Sequence, residues 1–315
     1  MDNCPHHNCF APDTSCALGH IDYLRCPEWK GIAAEAPLGN RTTDEILLPW
    51  SGSALGLSDL SFVTGRAKPI IVGIAGPESA GKTTLLASWY LLLGRGLLTN
   101  DGSRFAGSYS LGGWEAVASC LRWEPGQSPS FPPHTTSRGA RAPGLLHLSF
   151  RDVDEHLRDF LFADAPGEWF QRWSINAESN DALGARWISR HADVVLLAAD
   201  RQALSGVNLG SARNSFQLLA TRVSAERRGR PVALVWTKAD IDVDVEIEKR
   251  IRDAVMNLMP DVREFSVSIF SRESTSGGAG FQDLFEWVRA TRRPGIALPF
   301  GSSSGNDPLF VFGRR

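Results

Sequence analysis

The sequence predicts an α/β fold: a mostly parallel central sheet with one antiparallel edge strand, helices on both faces, and a small zinc-binding segment at the N-terminus. Three observations carry the prediction. From residue 70 to about 291, short apolar runs of strand length alternate with segments of helical periodicity. The first run, residues 70–74, ends in Gly76-Pro77-Glu78-Ser79-Ala80-Gly81-Lys82-Thr83-Thr84 and opens directly into a helical pattern. Two later runs end in Asp164-Ala165-Pro166-Gly167-Glu168 and in Thr237-Lys238-Ala239-Asp240. Sheets of this kind bind ligands beyond the carboxyl ends of their strands. All three segments are expected there.

Each segment has a chemistry. Gly-x-x-x-x-Gly-Lys-Thr between a strand and a helix is a phosphate-binding loop: glycines let backbone N–H groups converge on an anion, and the helix N-terminus adds its dipole. Lys82 supplies a cation for the β/γ-phosphates and Thr83 a hydroxyl for Mg²⁺. Asp164 is placed to hold Mg²⁺ through water, and the N–H of Gly167 to sense the γ-phosphate. The Asp240 carboxylate can accept hydrogen bonds from guanine N1–H and N2–H₂; adenine has neither donor on that edge. The Lys238 stem can lie over the base. The order of the three segments therefore specifies a guanine nucleotide, GTP or GDP, with Mg²⁺.

The elements follow in order. Residues 70–74 are a strand. Residues 81–94 are a helix, since Leu85, Leu86, Trp89 and Leu93 recur at helical spacing. A shorter helix is predicted over 113–123. Residues 145–150 and 156–163 read as two strands joined around Arg151-Asp152-Val153-Asp154-Glu155, the antiparallel edge hairpin. A helix over 181–191 precedes a buried strand at 192–199. Helix 212–227, strand 232–236, helix 243–258, strand 264–269 and helix 281–291 complete the alternation.

Composition sets bounds. A chain of 315 residues, 43% hydrophobic and 22% charged, has ordinary globular composition. A net charge of −2 argues against a nucleic-acid partner or an anionic membrane surface. No apolar run approaches the roughly 20 residues of a membrane span. The N-terminus shows no secretory pattern, and the expected location is cytoplasmic. Four of the five cysteines, Cys4, Cys9, Cys16 and Cys26, crowd the first 26 residues with His20 nearby. Thiolates so crowded in a cytosolic chain favour structural Zn²⁺ over disulfides; the expected ligands are the four cysteines, with His20 as an alternative to Cys16. The expected organisation is a cysteine-rich head at 1–30, a connector at 31–67, the main domain at 68–293 and a linker-like tail at 294–315. The tail ends in Leu309-Phe310-Val311-Phe312, an apolar run expected to dock on its own domain, a second copy in a homo-oligomer, or a partner.

With these motifs the main domain resembles the TRAFAC-class GTPases, over about residues 68–293. It looks closest to bacterial double-GTPase-type domains with a cysteine-rich head, which are associated with conflict or defence systems. Arg104-Phe105-Ala106-Gly107-Ser108, Thr135-Thr136-Ser137-Arg138-Gly139 and Phe162-Ala163-Asp164 carry that finer likeness. The resemblance implies slow Mg²⁺-dependent GTP hydrolysis, a switch role, and an effector or activating protein as partner. It implies a switch threonine on Mg²⁺, for which Thr136 is preferred over Thr135. It places Glu168 where many members carry a water-orienting Gln, so Glu168 is either a base or a solvated residue starting a helix. It places Ser268, Phe270 or Ser271 as the source of a backbone N–H for guanine O6. Lys82 and Asp164 are 82 positions apart, which implies an insertion near the first switch. Two other readings are an assembly module that holds nucleotide structurally and a P-loop ATPase.

Overall fold

The computed structural model describes Cys26, Glu28 and residues 54–65, 67–99, 102–122, 131, 143–270 and 279–292. The chain divides into two units, Met1–Leu47 and Leu48–Arg315. In the first, Cys26 is buried and free of any disulfide; Cys4, Cys9, Cys16 and His20 lie outside the described residues, as does the apolar tail.

The second unit is built on a seven-stranded sheet. Its strands are β1 Ile70–Ala75, β2 Arg104–Gly107, β3 Gly144–Arg151, β4 Leu157–Asp164, β5 Val194–Asp200, β6 Val232–Thr237 and β7 Arg263–Val267, in the order β2-β3-β4-β1-β5-β6-β7. β4, β1, β5, β6 and β7 pair in parallel. Strand β3 runs antiparallel to both β4 and β2. One antiparallel strand was expected, and at the edge; it is instead second from the edge, because β2 covers it. Arg104-Phe105-Ala106-Gly107 shows no alternation of apolar and polar residues and ends in glycine. It is a strand because β3 offers it an edge, a tertiary cause that periodicity does not register.

The central strands are buried on both faces, which explains their near-continuous apolar runs. Side chains alternate between two cores. On one face, Ile71, Leu161, Val195, Leu197, Leu234 and Trp236 meet helices α4 Gly167–Ile175, α5 Leu183–His191, α7 Leu209–Glu226 and α8 Val245–Leu258. On the other, Val72, Ile74, Phe160, Phe162, Leu196 and Val235 meet α2 Lys82–Gly94, α3 Leu111–Ala118 and α9 Ala279–Ala290. Two short helices, α1 Leu60–Val63 and α6 Arg201–Ser205, complete the unit. Trp89 anchors the second core. It is fully buried, lies 5.3 Å from the Phe285 ring and 5.6 Å from that of Phe162, and its indole N–H donates to the Phe281 carbonyl at 2.9 Å. Truncating such a tryptophan costs about 3–5 kcal/mol.

Residues ahead of β1 add to the first core: Leu55 exchanges two backbone hydrogen bonds with Leu145 and is fully buried, and Val63 packs nearby. The helix expected at 113–123 starts earlier and gives way to a 3-10 turn at Ser119–Leu121. Its start is fixed by β3. Ser108 and Trp114 both donate to the His147 carbonyl, the His147 N–H donates to Ser110 Oγ, and the Tyr109 N–H donates to His147 Nδ1 at 3.0 Å. With Nδ1 accepting, Nε2 carries the proton and donates to buried Asp159, 3.0 Å away.

Candidate functional site

The loop from β1 to α2 has the shape its glycines require. Gly81, at the helix N-cap, adopts a left-handed φ of 76°, and Ser79 is held at φ 60°. A serine in that region costs on the order of 1 kcal/mol, the kind of strain that concentrates at ligand sites. Lys82 is buried, and its ammonium donates to the Gly76 and Pro77 carbonyls at 3.1 and 2.8 Å. Burial pulls its pKa down to about 8, while Asp164 and Glu78 pull it back up. A phosphate would meet a desolvated cation already aimed by backbone.

At the end of β4, Asp164 Oδ1 accepts a hydrogen bond from the Thr83 hydroxyl at 3.2 Å. One hydroxyl and one carboxylate oxygen so placed are the hard donors that Mg²⁺ takes alongside phosphate and water, so Thr83 and Asp164 fit the expected ion. Among the described residues no cluster of three or more His, Cys, Asp or Glu side chains forms a metal cage. Such a cage is not what Mg²⁺ at a phosphate needs.

Gly167 begins α4 and touches the phosphate loop. A Cβ there would fall 2.2 Å from the Glu78 nitrogen and 2.3 Å from the Pro77 carbonyl carbon. Only glycine permits this approach. Glu168 is exposed in the first turn of α4 and lines the same cavity as the phosphate loop. Thr136 lies outside the described residues.

The base-reading end is fixed by side chains. The Ser268 hydroxyl donates to Asp240 Oδ1 and accepts from the Phe270 N–H at 3.0 Å. Ser268, one of three residues expected to offer a backbone N–H to guanine, also orients the aspartate through its side chain. Lys238 has a left-handed φ of 54° and donates to Asp200 Oδ2 at 2.8 Å and Gln202 Oε1 at 2.9 Å. Asp200 Oδ1 accepts from the N–H groups of Gln202 and Ala203 and so caps α6. Arg201 then reaches the Ile241 carbonyl at 3.3 Å and Glu248 at 2.6 Å, with its guanidinium over Trp236. Trp236 donates to Glu264, which pairs with Arg252. These partners gather from β5, α6, β6, β7 and α8, and no short motif records them. Asp200 and Gln202 had one visible signal, their position at the end of an apolar run.

One cavity of about 870 Å³ joins the two ends. Of the expected residues, Glu78, Ser79, Ala80, Gly81, Lys82, Thr83, Thr84, Gly167, Glu168, Thr237, Lys238, Asp240 and Ser268 line it. Gly76 and Pro77 act from behind as the acceptors for Lys82. Phe131 and Phe270, with ring centroids 6.3 Å apart, stand half-exposed at its wall and were not anticipated as a pair. No described helix is long and apolar enough to cross a membrane.

Curated proteins give no match to the chain. A family model does: the one described as Double-GTPase 2 matches residues 70–288, from the start of β1 into α9 and over every residue that lines the cavity just described. The match covers more than half of the sequence, and the chain belongs to the Double-GTPase 2 family.

Proposed function

We propose that the chain binds GTP in this cavity, hydrolyses it slowly with Mg²⁺, and acts as a molecular switch read by an effector or activating protein. One observation carries the reading. Asp240, oriented by Ser268, and Lys82 and Thr83, the latter bonded to Asp164 behind it, line the same cavity, a purine-selecting carboxylate at one end and a polyphosphate cradle at the other. Thr83 and Asp164 would hold Mg²⁺, which when bound would neutralise charge on the phosphates. The chain's own residues do the rest. Lys82 and the loop N–H groups hold the phosphates in line. Gly167 brings its N–H against the loop where a γ-phosphate would sit, so α4 reports its presence. Glu168 accepts a hydrogen bond from the attacking water, and a carboxylate beside the dianionic γ-phosphate is repelled, which keeps unaided turnover low. Mg²⁺ ligation by Thr136 belongs to the same proposal, as does a Zn²⁺ site at Cys4, Cys9, Cys16 and Cys26, with His20 as the alternative to Cys16. The cytoplasm is the compartment in which GTP and such thiolates coexist, and the family resemblance extends the switch reading to bacterial conflict or defence systems.

The test is competition for a fluorescent guanine nucleotide. GTP and GDP are expected to displace it and ATP to fail; equal displacement by ATP sinks the base assignment. Asp240→Asn is expected to lose guanine affinity by about 10- to 100-fold, the cost of an unmatched hydrogen bond to a charged group, and to gain xanthine nucleotides.

A further inference from the structure

The start of β2 and the end of α9 are joined by a side-chain hydrogen bond between Ser103 and Arg289. Strand β2 pairs with β3 on one side, and among the described residues no strand covers the other. Arg104, Phe105 and Ala106 are exposed, Phe105 at 43%, and Leu111 just beyond at 48%. An edge strand presents backbone donors and acceptors to any segment able to add to it, and β2 carries no proline to block pairing. The end of α9 is tied to the residue before β2, to β3 and β4, and to the turn between them. Arg289 donates to the hydroxyl of Ser103, the residue before β2, and its guanidinium lies 5.1 Å from the Phe150 ring on β3. Arg158 of β4 donates to the carbonyls of Arg289 and Thr291 at 2.6 and 2.7 Å. Arg292 faces Asp152, in the turn after β3, at 3.7 Å.

We propose that the open edge of β2 is the docking site of the chain's own tail, with Leu309, Phe310, Val311 and Phe312 adding to the sheet as a further strand. Sixteen residues, 293–308, separate Arg292 from this run. Only residues 301–305 of it are all Gly or Ser; a flexible connection of that length has a root-mean-square reach of roughly 20–25 Å and holds its end at millimolar effective concentration over a nearby site. Pro308 precedes the run, at the strand position that tolerates proline. An all-apolar tetrapeptide needs cover on both faces once paired. Phe105 and Leu111 supply exposed apolar surface at this edge, and both would lose water.

Hydrogen exchange on the full chain tests this against two variants: a truncation after residue 300, and Val311→Pro, which removes a pairing N–H. Amides of Arg104 to Gly107 are expected to exchange at least ten-fold faster in both variants, with affinity for a fluorescent GDP analogue unchanged as the control for folding. A synthetic peptide of residues 305–315 is expected to restore protection to the truncated chain. Unchanged exchange at β2 on truncation, or a peptide without effect, overturns the proposal. Protection that fades on dilution, together with a dimer in sedimentation, assigns the edge to a second copy's tail and overturns the intrachain form.

Discussion

The two ends of the nucleotide cavity are built from different materials. At the phosphate end the backbone does the positioning: Gly81 and Ser79 hold left-handed dihedrals, Lys82 is tied to two carbonyls, and Gly167 admits α4 to backbone contact. At the base end side chains position side chains: Ser268 holds Asp240, and Lys238, Asp200, Gln202, Arg201, Trp236, Glu248 and Glu264 brace the turn from five elements. The contrast follows from the ligands. A polyphosphate asks for many converging N–H groups, which only a curled backbone provides. A purine edge asks for one carboxylate at one angle, which must be held rigidly. Damage at the phosphate end should therefore be abrupt and at the base end graded.

Four measurements press on that contrast. Lys82→Ala is expected to have the largest effect, weakening triphosphate binding by about 100- to 1,000-fold, the scale of losing one preorganised electrostatic donor; titration with a fluorescent GTP analogue reads it, and a loss under ten-fold would mean that the loop alone carries the phosphates. Gly167→Ala comes next, because its methyl would overlap loop backbone that cannot move freely. Single-turnover hydrolysis is expected to fall at least ten-fold while GDP affinity holds within a few-fold; parallel loss of both would show that Gly167 merely supports the loop. Arg201→Met removes a hydrogen bond to Ile241 and one of the two arginine partners of Glu248, which is four-fifths buried and keeps Arg252. About 1–3 kcal/mol of thermal or denaturant stability should go, with a guanine affinity loss under ten-fold. A complete loss of nucleotide binding there would erase the difference between the ends.

The smallest effect is a proton. Lys82 titrates near 8 when folded and near 10.5 when unfolded. A depressed lysine pKa means that the folded chain pays for the charge below about pH 8 and that stability from this group rises between pH 8 and 10.5. Nucleotide phosphates favour the charged form. Binding above pH 8 should therefore take up a fraction of a proton, and affinity should decline as pH rises from 8 to 9.5. Calorimetry in buffers of different ionisation enthalpy measures the uptake, and Lys82→Ala should abolish it.

The sequence made the phosphate end legible because that chemistry is local. Gly76 to Thr84 is one continuous segment, and the dihedrals it needs can be read from residue types. The alternation of strands and helices was legible for a similar reason, since strands buried on both faces must be apolar throughout. Asp240 was visible through its motif, but its brace was not. Ser268 and Asp240 are 28 positions apart and become partners only when β6 and β7 pair. The strand β2 was missed because its pattern is neutral and its partner decides its state.

Residue order alone therefore determined the α/β alternation, the loop that grips phosphate and the carboxylate that selects the base, since these depend on contacts within a few positions. Tertiary structure decided the antiparallel strand's place inside the sheet, the hydroxyl that aims Asp240 and the Lys238–Asp200 pair. Those depend on strand order, which brings together side chains tens of residues apart at the cost of loop entropy that no local pattern encodes.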